Sequence, residues 1–215
     1  VGLANRLIAV TGVSKDNLII AGGETRDWMF SGPVARELGL PHTMIYKDGK
    51  TVGDKMKGKN ILYVSDLNNE GSSYDRNWVP TTKKEGGIPT AAGFLVDRLE
   101  KGIKVLDGLG LTHGAVVPLN IDAWTYLQDK KVVTQEIYEQ LCKRTNDMDK
   151  WAREMLVSDE GLDCLAALVM SGKTLEKANK VFDQGYPNMK NQLIKLLQNK
   201  FGSGVCGRVS ANGFL

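Results

Sequence analysis

The chain has 215 residues and a mass of 23.6 kDa, enough for one ordinary domain with an addition or for two small domains. Apolar residues make up 42%, charged residues 25%, and there are 24 glycines, which excludes a disordered, collagen-like or disulfide-stapled chain. The 28 basic and 25 acidic residues leave a formal charge of +3, too small to demand nucleic acid as a partner, and no apolar run approaches the roughly 20 residues that cross a bilayer, so a membrane span is excluded as well.

Val1 to Asn5 carry no basic cluster followed by an apolar core, so no secretory leader is expected. Cys142, Cys164 and Cys206 are odd in number and fit no metal or disulfide spacing. Buried, reduced thiols in a cytoplasmic protein are the expectation.

In chain order, Leu18 to Ala21 reads as a buried strand, followed by Gly22-Gly23-Glu24-Thr25-Arg26 and a helix from about Met29 to Leu38 that stops at Gly39, with Pro41 beyond. Thr43 to Tyr46 is the next strand, Lys47 to Lys59 a lysine-rich loop, and Ile61 to Val64 a buried central strand. Then come the polar loop from Asp66 to Ser73, a helix over Tyr74 to Lys84, a strand at Gly93 to Val96, a helix starting at Val105 to Leu109, and a strand at Ala115 to Leu119. Short apolar runs alternating with helices predict a parallel sheet with crossover helices on both faces. Beyond about Ile121, Thr134 to Arg144, Asp147 to Val157, Glu160 to Met170, Leu175 to Asp183 and Lys190 to Phe201 all show helical spacing. The division expected is an α/β core over 1–122 and a helical extension over 123–215, with Gly202 to Leu215 loose or late to dock.

The segment Asn60 to Ser73 carries the most chemistry. A buried strand delivers Asp66 to the carboxyl edge of the sheet, where open α/β sheets bind ligands, and Gly71-Ser72-Ser73 then opens a helix, so that N–H groups and hydroxyls converge as an anion cradle. An acid beside such a cradle suits a ligand with both hydroxyls and phosphate. An ordinary strand-to-helix turn is the plainer reading of the same residues. His42 and His113 lie too far apart for a metal pair, and the four tryptophans do not interleave with basic residues, so both sets are assigned to packing.

The order of strand, acid, polar loop, glycine and serine resembles the phosphoribosyl-diphosphate motif of type I phosphoribosyltransferases, with the motif's two acids falling on Ser65 and Asp66 and its phosphate loop on Asn69, Glu70, Gly71, Ser72 and Ser73. Three further segments are similar to orotate phosphoribosyltransferases in the same order. Ala21 to Asp27 resembles the diphosphate loop, Tyr46 to Lys50 the lysine element leading into a mobile loop, and Leu95 to Gly102 the segment that places an arginine for the base. The chain departs from that pattern at Ser65 for an acid, Glu70 for a threonine-like residue, Asp27 for a glycine and Val52 for a histidine.

The resemblance implies an α/β phosphoribosyltransferase core that moves ribose 5-phosphate from phosphoribosyl diphosphate to orotate, giving orotidine 5′-phosphate and diphosphate. It assigns Asp66 to the ribose hydroxyls and Asn69 to Ser73 to the 5′-phosphate. Thr25, Arg26 and Lys47 fall to the diphosphate, Lys50 is the catalytic loop cation, and Asn69 and Arg98 select the base. Magnesium is implied as the cofactor, held by ligand oxygens with Asp66 reaching it through water, and a homodimer as the assembly. Two alternatives stay open: the same fold acting on another base, and a non-catalytic binder that kept the fold.

Overall fold

The computed structural model of the chain describes residues 1–171 and 175–202. It divides into two compact units, Val1–Lys130 and Lys131–Leu215. In the first, helix α1 (Gly2–Thr11) precedes β1 (Leu18–Gly23), α2 (Trp28–Leu38), β2 (His42–Ile45), β3 (Thr51–Gly53) and β4 (Asn60–Asn68). A π-helical turn, Tyr74–Trp78, runs into α3 (Val79–Lys84), followed by β5 (Ile88–Asp97), α4 (Gly102–Gly108), β6 (Thr112–Pro118) and α5 (Ile121–Asp129). The expected boundary at residue 122 falls inside α5.

The six strands form one sheet in the order β3-β2-β1-β4-β5-β6, parallel except for β3 at the edge. From β1 the chain winds outward to β2 and β3; from β4 it winds the other way, so the order reverses between these two central neighbours. A crevice opens at the carboxyl ends of strands at such a switch point.

The six residues of β1 are all buried, as expected of a strand covered on both faces. Strand alternation divides the core. Ile19, Ala21, Ile61 and Tyr63 pack with Trp78, Val79 and Leu106 on one face, whereas Leu18, Ile20, Leu62 and Val64 meet Leu7, Ile8 and Ala35 from α1 and α2 on the other. Each leucine, isoleucine or valine among them contributes about 1.5–3 kcal/mol by leaving water. Gly23 is required by close approach, because a Cβ there would collide with the indole of Trp78.

The stretch Lys47 to Lys59, expected as one loop, contains β3. Tyr46 N–H donates to the Lys50 carbonyl at 2.8 Å and Gly49 N–H to the Tyr46 carbonyl at 3.0 Å, which closes a tight hairpin. Its antiparallel register puts Ile45 opposite Thr51.

In the second unit α6 (Gln135–Asn146), α7 (Met148–Val157) and α8 (Asp159–Met170) start at Thr134, Asp147 and Ser158, whose side chains accept from the N–H groups of Ile137, Lys150 and Gly161. The stripe of Leu162, Leu165, Ala166 and Val169 is buried against Phe182, Leu193 and Leu197, carried by a π-helical turn after α9 (Leu175–Asn179) and by α10 (Lys190–Phe201). The expectation of buried thiols is corrected. Cys164 is exposed and Cys142 only half-buried, because Cys164 points off the stripe of α8 and α6 buries no residue fully. Cys206 and the tail from Ser203 lie outside the described residues. No helix among the described residues is long and apolar enough to cross a membrane. His42 pairs through Nε2 with Ser31 Oγ at 2.9 Å and His113 with Asp107 at 3.0 Å, both local packing roles.

Candidate functional site

Two loops leave the carboxyl ends of the central neighbours β1 and β4: Glu24 to Asp27, and the run through Asn69 and Gly71 that opens the next helix. Between them lies a cleft of about 290 Å³ lined by Arg26, Asp27, Asp66, Asn69 and the Glu70 to Ser73 segment. Of the residues expected from the sequence, Arg26, Asp66, Asn69, Glu70, Gly71, Ser72 and Ser73 are thus gathered in one place.

Gly71 has φ +70°, and a Cβ there would stand 2.9 Å from Cβ of Val105 and 3.2 Å from Cα of Gly102, so only glycine fits both the left-handed turn and the close approach of α4. The helix begins immediately. Tyr74 and Asp75 N–H donate to the Gly71 carbonyl at 3.1 and 3.2 Å, which leaves the N–H groups of Ser72 and Ser73, both cleft-lining residues, ahead of the helical ladder. Asn69 Oδ1 is buried with no partner among the described residues, an acceptor in want of a donor. Glu70 is exposed on the rim.

Asp66 projects from β4 on the α2 side, held by neighbours from the other loop. Arg26 Nε lies 3.1 Å from its Oδ2, and its own N–H donates to Oδ1 of Asp27 at 2.9 Å. Arg26 itself is 78% exposed, so the outer edge of its guanidinium fork remains directed at solvent and able to meet an anion. Asp27, a departure from the expected glycine, is only 9% exposed. Burial above all, and then the neighbouring Asp66 charge, push its carboxyl up to about 7, against the lowering effect of the bond from Asp66 N–H. In the sequence Asp27 stands only as a departure from the pattern, with no role assigned. Its contact with Asp66 depends on the pairing of Ala21 with Tyr63 across β1 and β4, which no local pattern announces.

Ser65 does not join the cleft wall that Asp66 helps form. It is 2% exposed, and its Oγ pairs with the Tyr74 hydroxyl at 2.9 Å on the opposite face of the strand. The physical reason is the two-residue period: consecutive strand residues point to opposite faces. Burial pushes the Tyr74 hydroxyl far above its ordinary range, so this pair is a neutral structural contact.

Thr25 is exposed on the β1 loop, after a cis Glu24–Thr25 peptide, and is not among the cleft-lining residues. Lys47 and Lys50 also stand outside. They belong to the β2–β3 hairpin, too short to swing as a lid, where Lys47 lines a second cleft of about 280 Å³ with Arg76 and Lys84 and Lys50 Nζ sits 5.8 Å from the Tyr46 ring. The two places are joined by Glu24, which lines the first cleft and accepts from Lys47 N–H at 2.9 Å. Arg98 follows β5 with its N–H on the Asn68 carbonyl at 3.0 Å, while its guanidinium pairs with Glu100 at 3.0 Å.

The cleft offers oxygen donors, which suit magnesium better than a soft metal. Among the described residues, however, no group of three or more His, Cys, Asp or Glu side chains could hold a metal ion unaided. The residues therefore fit an ion whose remaining ligands arrive with the substrate.

No protein-family model matches the sequence, and no curated protein matches it significantly. Solved structures do. UMP synthase from Leishmania donovani superposes with a TM-score of 0.55 at 19% identity, over 65% of this chain and 31% of that one, so the chain spans less than a third of that protein's length. Orotate phosphoribosyltransferase from Aeropyrum pernix gives 0.48 at 22% identity over 60% and 75% of the two chains, and adenine phosphoribosyltransferase from Thermoanaerobacter pseudethanolicus 0.43 at 22% over 53% and 77%. The sheet of this chain, with its switch point between β1 and β4, has the α/β fold of the type I phosphoribosyltransferases.

Proposed function

We propose that the cleft between β1 and β4 binds phosphoribosyl diphosphate and that the chain transfers its ribose 5-phosphate to a nucleobase. The observation that carries this reading is the placement of Asp66 beside the Gly71 to Ser73 helix start at the switch point of the sheet, an acid for hydroxyls next to N–H donors for phosphate. The ring nitrogen of the base attacks C1 of the ribose as the C1–O bond to diphosphate breaks, and the base gives its proton to solvent. Positive charge grows on the ribose and negative charge on the diphosphate, so positioning and fixed charges supply the catalysis.

Asp66 accepts from the ribose hydroxyls, the N–H and hydroxyl groups of Ser72 and Ser73 hold the 5′-phosphate, and the outer edge of Arg26 faces the diphosphate. Thr25 serves the same group from its loop. Magnesium, held by ligand oxygens and by Asp66 through water, would offset the diphosphate charge. Orotate is the base proposed, from Asn69 in the lining and from Arg98, which stands outside the lining residues. Asn69 Oδ1 accepts from a ring N–H, and Arg98, anchored beside Asn68, can exchange Glu100 for the orotate carboxylate.

The hairpin favours a second reading, binding without turnover, since it keeps Lys47 and Lys50 off the cleft wall. Titration calorimetry with phosphoribosyl diphosphate and magnesium, followed by an absorbance assay with orotate, uracil and adenine, separates the readings. Tight binding with orotate turnover is expected. Binding without turnover of any base selects the second reading, and no binding overturns both.

A further inference from the structure

The motif calls for two acids at the ribose end, and this chain keeps one of them on β4. Ser65 cannot substitute, since its side chain turns to Tyr74 on the other face. A second carboxyl nevertheless stands against Asp66. It comes from the β1 loop, at the residue where the expected pattern has glycine and therefore no side chain at all. Asp27 reaches across the switch point and accepts the Asp66 N–H at 2.9 Å, while Arg26, its chain neighbour, holds Asp66 Oδ2 at 3.1 Å. Asp66 is thereby gripped at its backbone and its side chain by two consecutive residues of one loop.

We propose, on the reading that the cleft takes ribose phosphates, that Asp27 is a positioning residue for Asp66 and so compensates for the acid missing at Ser65. The grip fits what a vicinal diol demands. A single carboxylate must receive two adjacent hydroxyls, so both its oxygens need a fixed plane, and a carboxylate free to rotate on an unanchored strand end would lose one of the two bonds. Asp27 fixes the strand end and Arg26 the plane. The departures at Ser65 and Asp27 are then one exchange, in which an acid lost from β4 is answered by an acid gained on the β1 loop. No hydrogen bond among the described residues joins Asp27 to the phosphate cradle at Gly71 to Ser73, so the role belongs to the ribose end.

The test titrates the full chain, without magnesium, with ribose 5-phosphate and separately with inorganic phosphate. For Asp27→Ala the affinity for ribose 5-phosphate should fall about tenfold, the effect of losing a hydrogen bond to a charged group, while that for phosphate holds. Asp27→Asn, which keeps an oxygen for Asp66 N–H, should recover most of the loss. In an Asp66→Ala background Asp27→Ala should cost nothing further. If Asp27→Ala does not fold, Asp27→Ser, whose hydroxyl stops short of Asp66 N–H, carries the same expectation. An equal loss for both probes, or an unchanged affinity for ribose 5-phosphate, overturns the role alone. Failure of the wild-type chain to bind either probe overturns the ribose-phosphate reading and this role with it.

Discussion

Two clefts in the first unit are linked by one hydrogen bond, from Lys47 N–H to Glu24, and differ in construction. The one between β1 and β4 is built from the ends of the two central strands, with a glycine forced by close packing and an acid held by two consecutive residues of the facing loop. The one beside the β2–β3 hairpin is lined by exposed cations, Lys47 on the hairpin with Arg76 and Lys84 from the π-helical turn and α3. A group fixed from several sides is already placed when the ligand arrives, whereas a solvated lysine must give up its freedom on binding. On the proposed function the contrast sets the chemistry at the centre of the sheet, with the basic edge supplying charge without geometry.

The largest expected effect comes from the centre. Asp66→Asn should lower affinity for phosphoribosyl diphosphate by roughly a hundredfold, as for a charged acceptor lost from a hydroxyl pair, and abolish turnover; calorimetry and the absorbance assay read the two losses. Near-normal values would move the ribose site elsewhere. Gly71→Val follows. It forces a β-branched residue to φ +70° against Val105, at about 1–3 kcal/mol, so a lower melting temperature and weaker phosphate binding are both expected.

A smaller effect depends on pH. The Asp27 carboxyl sits at about 7 in the fold against an ordinary 3.8, so between these values the folded chain holds a proton that the unfolded chain has released. Stability therefore falls as pH rises through that window, and the full penalty stands above pH 7. Asp27→Asn should melt above the wild type at pH 8.5 and lose most of that advantage by pH 5. An advantage that grows toward low pH would contradict the burial of this carboxyl.

Glu70→Thr should tighten phosphate binding by a few-fold, since it removes a rim carboxylate from an anion cradle. The smallest change is expected at the edge, where Lys47→Ala and Lys50→Ala should each alter affinity for phosphoribosyl diphosphate by less than about threefold, the size of a screened surface charge. A loss as large as that of Asp66→Asn would restore the hairpin to the site and erase the contrast.

Much of this was legible in the sequence, for a reason that differs by residue. Asp66 and Gly71 to Ser73 could be read because a buried strand, an acid and a glycine-serine helix start lie within one short run, where covalent order and spatial order coincide. The strands β1 and β4 and the stripe of α8 followed from apolar periodicity. Asp27 could not be read, since its meaning depends on a partner 39 residues away brought near by strand pairing. Lys50 lies in a lysine-rich, glycine-punctuated stretch that reads the same in sequence whether it forms a lid or a hairpin, and only the pairing of Ile45 with Thr51 separates the two. Ser65 and Asp66 are adjacent in one motif, yet the strand sends them to opposite faces.

The account rests on the cleft at the switch point being a ribose-phosphate site. Titrating wild-type and Asp66→Ala chains with phosphoribosyl diphosphate in magnesium tests it most directly: saturable one-site binding that Asp66→Ala weakens by roughly a hundredfold is predicted, and equal binding by the two chains, or none by either, would contradict it.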